Sequence, residues 1–363
     1  MLNQFFKNGI NLGGYLSQYD IIINPSSEEE MKKHLDTFIT EENIRQIASW
    51  HFDHVRIPLD GCLFFDRDSR RLKEEPMKYL DQCLSYCSRN GLNAILDLHY
   101  IWGHTFGQMD QPTALMTDKE LRSYFVSFWV NMAEHYQGYK GTTLLFELFN
   151  EMCDATGYRW NSLYKETVEA IREIDPERMI LVGTNYVNSV GYLDRLDLID
   201  DENVFYNFHY YEPNVFTHQK AHFSEEFRTY AKCIAYPDDI SDYIHFLEEH
   251  EQFAAEHPLM NGKTLRNDHE LMLSLMKPAK DFTEYSGHEA FCSEFGVIDT
   301  AEEKEAVKWL KDFMELCDSY GIGHSMWNYK CLDFELVDEN NEIVRPEIVE
   351  FLTGYNESSR AEK

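Results

Sequence analysis

Two glutamates, Glu151 in LFELFNE and Glu294 in CSEFG, each close a short apolar run. Runs of this length predict strands, so both carboxyls are expected at strand ends rather than on solvated helix faces. Two carboxyls brought together divide their labour: each raises the other's pKa, so one stays protonated while the other is ionised. That is the pair that cleavage of a glycosidic bond requires. Taken singly, each glutamate is as well explained by a surface salt bridge.

Other short runs end in groups that fit around such a pair. Arg56 in HVRIPLD is a permanent cation that can hold an ionised glutamate, or form a structural ion pair for which Glu147 is the obvious partner. His209 and Tyr211 in FHYYEP are two residues apart and so share one face of a strand. Asn150 carries an amide that can donate to and accept from a sugar hydroxyl, and Trp327 in SMWNYK offers a flat apolar ring. His99 ends ILDLHY. A satisfied core histidine is commoner than a reactive one, and joint placement at strand ends is what favours chemistry.

The elements that must deliver these residues are eight apolar runs alternating with amphipathic stretches: 9–16, 54–59, 92–99, 143–149, 179–183, 204–209, 290–295 and 322–327. Repeated βα units predict a parallel α/β sheet. A closed (β/α)8 TIM barrel is expected rather than an open nucleotide-binding sheet, because Asn11-Leu12-Gly13-Gly14 is not G-x-G-x-x-G. Capping boxes are expected at Thr117 with Glu120 and at Thr300 with Glu303, and helix-ending glycines at Gly91 and Gly321. The connection from the sixth run to the seventh is too long for one helix and two loops. Residues 213–289 are therefore expected to form a helical subdomain inserted into one catalytic domain spanning 1–363, with breaks at Asn261-Gly262 and Pro278. The tail after Leu352 is expected to fray.

The formal charge of −31, from 64 acidic and 33 basic residues, repels nucleic acid and anionic lipid. No apolar run approaches membrane-spanning length, and the N-terminus lacks a signal-peptide pattern; the expectation is a cytoplasmic monomer, or a secreted one if a leader was removed. The eight cysteines include no CxxC and no His partners at metal-ligand spacing, so they are expected to be small buried hydrophobes, Cys83 and Cys87 on one helix face. No metal or other cofactor is expected, since the first strand lacks H-x-H and His99 and His209 have no converging ligands.

Together, Asn-Glu at the fourth run, Glu-Phe-Gly at the seventh, the His-x-Tyr pair, the second-run Arg and the eighth-run Trp resemble glycoside hydrolase family 5, the cellulase family, over about residues 9–352. The resemblance implies that Glu151 is the acid/base and Glu294 the nucleophile of a retaining reaction on β-1,4-glucan or mixed-linkage β-glucan, without a metal. It implies that Arg56, His99, Asn150, His209, Tyr211 and Trp327 occupy the remaining active-site positions, and that the peptide after Trp327 is cis. Trp102 and Phe216 are expected as additional sugar contacts. The chain departs from the family at His99-Tyr100-Ile101-Trp102-Gly103-His104, which lacks a second histidine directly after the first; this puts fine substrate preference in doubt. Action on β-mannan, exo-release of cellodextrins, and an inactive glucan-binding barrel are the competing readings.

Overall fold

The computed structural model describes residues 2–104, 113–154, 156–254, 259 and 265–361. Eight strands close into a barrel: β1 (Asn8–Asn11), β2 (His54–Asp60), β3 (Asn93–Tyr100), β4 (Leu144–Glu147), β5 (Met179–Gly183), β6 (Val204–Tyr210), β7 (Ala290–Phe295) and β8 (Gly323–Met326). Each pairs in parallel with its neighbours in chain order, and β8 returns to β1. The expected (β/α)8 barrel is therefore the fold. Its first strand stops at Asn11 and its fourth at Glu147, shorter than the apolar runs that signal them, because Leu12–Leu16 and Leu148–Phe149 are buried as loop.

Along each strand the side chains alternate between the barrel interior and the surrounding helices. The interior consequently has two floors. The lower floor is apolar, with Ile95, Leu145, Leu181, Phe205 and Phe291 closed from below by Leu2 and Phe6. Two residues further along the same strands stand Asp97, Glu147, Asn207 and Ser293, all fully buried and polar. The strand register puts Asp97 beside Glu147 and Glu294 beside His209. A β-bulge between Cys292 and Glu294 lets the consecutive residues Ser293 and Glu294 both join the polar floor.

Several helix ends differ from expectation. The helix Lys119–Tyr136 is capped by Asp118, whose carboxylate accepts from the Glu120 and Leu121 amides, so the Thr117 box does not form. The helix Glu303–Tyr320 has Glu302 at its N-cap, so Thr300, whose hydroxyl donates to the Gln219 carbonyl at 2.6 Å, stands too early in the chain to cap it. Gly91 and Gly321 do follow helices with left-handed φ of 71° and 69°. The tail does not fray at Leu352: the helix Pro346–Ala361 continues, and the buried Asn356 donates to the Trp50 carbonyl. All eight cysteines are free, and Cys83 and Cys87 are buried on one helix as expected, but Cys233 is exposed. Among the described residues no helix is long and apolar enough to cross a membrane.

Between β6 and β7 the chain forms short helices, among them Glu225–Tyr230, Ser241–Glu249 and His269–Leu275. Phe227, Ile240, Tyr243 and Leu247 pack together and meet Ile298, Trp327 and Phe334 at the barrel mouth. Pro278 does not break a helix; it sits in the first turn of Lys277–Ser286, where its missing N–H costs nothing. The inner face of that helix, Ala279 and Phe282, packs into the barrel core. Asn261-Gly262 lies outside the described residues.

Candidate active site

At the C-terminal ends of the strands the polar floor is organised by Arg56, which is completely buried. Its Nε and Nη2 donate to the two oxygens of Glu147 at 2.7 and 2.9 Å, a forked pairing that fixes the guanidinium plane. Its Nη1 donates to Glu294 Oε1 at 2.7 Å and to Asn11 Oδ1 at 2.9 Å; Nη2 also reaches Asn150 Oδ1 at 2.9 Å and Asp97 Oδ2 at 3.0 Å. The two roles weighed for Arg56 are thus filled at once: it makes the structural pair with Glu147 and it holds Glu294. Burial alone works against its charge, but Asp97, Glu147 and Glu294 keep it protonated well above the ordinary arginine value.

Glu294 has both oxygens engaged, one by Arg56 and the other by the Tyr211 hydroxyl at 3.0 Å. Glu151 stands differently. It lies in the loop just past β4 with φ of 45°, a left-handed conformation unusual for a residue other than glycine, and its side chain is 26% exposed against 6% for Glu294. One of its oxygens meets His209 Nδ1 at 3.1 Å. Burial raises its pKa above the ordinary glutamate value, opposed by the nearby His99 and Arg56. Ligand atoms of Glu151, Glu294 and His209 all lie within 4.8 Å of one another.

Asn207 Nδ2 donates to Glu147 Oε1 at 2.6 Å, so its carbonyl faces Asn188 and accepts from Asn188 Nδ2 at 3.0 Å. His209 Nε2 lies between that Asn188 nitrogen, at 3.3 Å, and the Ser293 hydroxyl, at 3.1 Å, which itself donates to Glu147 Oε1 at 3.0 Å. Nδ1 faces Glu151. Burial depresses His209 to about 4, so the ring is neutral near pH 7. Among the described residues, Glu151, His209 and Glu294 are also the one group with ligand atoms close enough to share a metal ion. Arg56 and Tyr211 already satisfy Glu294, which makes the trio better suited to proton and carbon chemistry than to a cation.

The expected residues mostly converge. Arg56, Asn150, Glu151, His209, Tyr211 and Glu294 are joined by hydrogen bonds, and His99 reaches Asn150 Nδ2 through Nε2 at 3.5 Å. Trp327 lies parallel to the His99 ring with centroids 5.7 Å apart, and its peptide bond to Asn328 is cis, as expected. Gly13 makes room for that indole, since a Cβ there would come within 2.6 Å of it, and Gly296 does the same for the Trp327 carbonyl. Phe216 is a correction: it is fully buried against Tyr236 and cannot meet a sugar. The short helix Asn214–Thr217 turns this ring inward, and its neighbour His218 packs edge-on against Tyr211 instead, with centroids 4.9 Å apart. Trp102 meets Tyr124 edge-on, with ring centroids 6.1 Å apart, and Arg67 lies over its ring. Sequence reading passed over Asn11, Asp97, Asn207 and Ser293; the available signal was a polar residue two positions before a reactive one in an otherwise apolar strand, as in Asp97-x-His99 and Asn207-x-His209.

A closed parallel barrel with two close carboxyls in unlike surroundings at its C-terminal mouth defines an α/β-barrel hydrolase of glycosidic bonds. The chain belongs to the cellulase family, glycosyl hydrolase family 5, whose family model matches residues 21–331. It is 38% identical over 348 residues to Endoglucanase C of Acetivibrio thermocellus, covering 96% of this chain and 98% of that protein. It is 30% identical over 315 residues to Cellodextrinase A of Ruminococcus flavefaciens, covering 86% and 82%. The fold matches that of Thermotoga maritima Cel5A, solved in complex with cellobiose, with a TM-score of 0.72 and 21% identity over 96% of this chain and 98% of that one.

Proposed function

We propose that this glycoside hydrolase is a retaining endo-β-1,4-glucanase that also accepts mixed-linkage β-1,3-1,4-glucan. The observation that carries the proposal is the close approach of Glu151 and Glu294 within unlike surroundings. Direct attack by one carboxylate needs a pair about 5 to 5.5 Å apart, whereas an inverting pair leaves about 6.5 to 9.5 Å for a water. Glu294, ringed by Arg56 and Tyr211, attacks the anomeric carbon, and Glu151 gives its proton to the departing glycosidic oxygen. Glu151 then takes a proton from the water that cleaves the glycosyl ester, and the sugar leaves with its β configuration restored. Asn150, His99, His209 and Trp327 line the space where the reacting sugar would lie, and no step requires a metal.

Endo action is supported by the extended likeness to Endoglucanase C. The likeness to Cellodextrinase A favours a second reading, release of short cellodextrins from chain ends on the same machinery. Reducing-sugar release from barley β-glucan, carboxymethylcellulose, glucomannan and cello-oligosaccharides, with product sizes followed over time, separates the two. Proton NMR of the first product decides the stereochemistry, and an initial α anomer would end the retaining assignment. Activity on glucomannan alone would move the substrate to β-mannan. The inserted segment after β6 is proposed to extend the binding cleft through His218 and the exposed Phe223, which pack edge to face with centroids 6.0 Å apart.

A further inference from the structure

Asp97 is fully buried on β3, two residues before His99, and no step above uses it. Its Oδ2 does double duty, 2.8 Å from His99 Nδ1 and 3.0 Å from Arg56 Nη2, while Oδ1 has no hydrogen-bond partner among the described residues. The neighbouring bonds dictate what this contact means. Arg56 can only donate, so Asn150 must turn its carbonyl toward Arg56 Nη2 and its amide nitrogen toward His99. That nitrogen also can only donate, so His99 Nε2 must be the bare, accepting nitrogen. The imidazole proton is then on Nδ1, donated to Asp97.

We propose that Asp97 is a positioning residue: it locks His99 in the Nδ1–H tautomer, so that Nε2 presents a hydrogen-bond acceptor to a hydroxyl of the reacting sugar. The same oxygen steadies the Nη2 edge of Arg56, and so ties the orientation of Asn150 to that of His99. Without Asp97 the imidazole could carry its proton on Nε2, facing the donor amide of Asn150 and unable to accept from a hydroxyl. Burial depresses His99 to about 4, so near pH 7 the ring is neutral and the tautomer decides what it offers. Burial likewise raises Asp97, to about 7. A proton added there can sit on the unpartnered Oδ1 and leave both contacts of Oδ2 in place.

The inference rests on the proposed reading that His99 faces the sugar, so the test keeps the two apart. Nitrogen-15 NMR of histidine-labelled wild-type protein without ligand, with His99 assigned by comparison with His99→Gln, should show Nδ1 protonated and Nε2 bare. A protonated Nε2 in the wild type would overturn the inference whatever the activity. Asp97→Asn keeps an accepting oxygen for both partners, and should retain the tautomer and lose no more than about threefold in kcat/KM on cello-oligosaccharides. Asp97→Ala should shift the population toward Nε2–H and lose about tenfold or more, the scale of one charge-assisted hydrogen bond. Equal losses in both variants with an unchanged tautomer would make Asp97 merely structural. If the tautomer behaves as expected but His99→Gln is as active as wild type, it is the sugar-facing reading of His99 that fails.

Discussion

The two sides of the barrel mouth hold the same functional group in opposite ways. Glu294 is delivered by a bulged strand and has a donor on each oxygen, Arg56 and Tyr211. Glu151 is delivered by a loop residue with left-handed φ, is open to the cleft on one side, and has a single close partner in His209. Burial holds Glu151 above the ordinary glutamate pKa, so it keeps its proton longer than an exposed carboxyl would. Differences in holding, with no difference in residue type, thus separate a proposed nucleophile from a proposed acid.

The sharpest way to break this comparison is Glu294→Gln, which keeps the shape and removes the attacking oxygen. Turnover of β-glucan should fall by about 10⁴-fold or more while cello-oligosaccharide binding, followed by calorimetry, stays near wild type. If both glutamates were interchangeable, Glu151→Gln would match it. Instead Glu151→Gln should lose about 10² to 10⁴-fold on β-glucan. It should keep a rapid first step on 2,4-dinitrophenyl cellobioside, whose leaving group needs no proton; stopped-flow release of the phenolate reads this directly.

The surroundings themselves titrate. His99, His209 and His324 are depressed by burial from an ordinary value of 6.5 to about 4 each. A histidine whose folded pKa is lowered stabilises the fold fully above its unfolded value and loses that contribution as pH falls toward the folded one. These rings should therefore contribute a decline in stability to urea between about pH 6.5 and 4. Buried Asp97 and Glu212, each raised to about 7, act in the opposite direction over the same window, so the histidine part is read as the slope lost in His99→Gln and His324→Gln; an unchanged slope in both would mean that these rings are already charged in the fold.

The smallest effect is expected furthest from the carboxyls. Phe223→Ala should lose about threefold in kcat/KM on long cello-oligosaccharides and almost nothing on cellotriose, as loss of one exposed ring contact at a distal position implies. Equal losses at every length would make the insertion a packing element only. Phe216→Ala tests something else: with the ring buried, it should cost about 3 to 5 kcal/mol of stability in urea and leave the length dependence of the remaining folded enzyme unchanged.

How far the sequence could be read depended on whether a signal was local. Strand positions followed from apolar runs because burial of a barrel strand on both faces leaves a continuous mark, and all eight are where those runs lie. Glu151, Glu294, Arg56, His209 and Tyr211 were legible because a polar group at the end of such a run has few other reasons to be there. The Thr117 and Thr300 boxes misled because a capping pattern names a candidate and the helix start decides: Asp118 caps the first helix, and the second starts with Glu302 at its N-cap. Phe216 misled because nearness to the cleft in sequence does not fix which way a ring turns in a four-residue helix.

What the sequence alone determined is the set of chemical groups and the strands that carry them, since composition and period are properties of the chain. Only the tertiary structure decided which groups meet. The closed barrel brought Asp97, Glu147 and Glu294, from three different strands, onto one guanidinium. From that single fixed donor, the orientation of Asn150 and the proton position on His99 follow; through Glu147 it also fixes the orientation of Asn207. The physical reason is that a buried hydrogen bond is settled by its partner, and here the partners are up to 238 residues away along the chain.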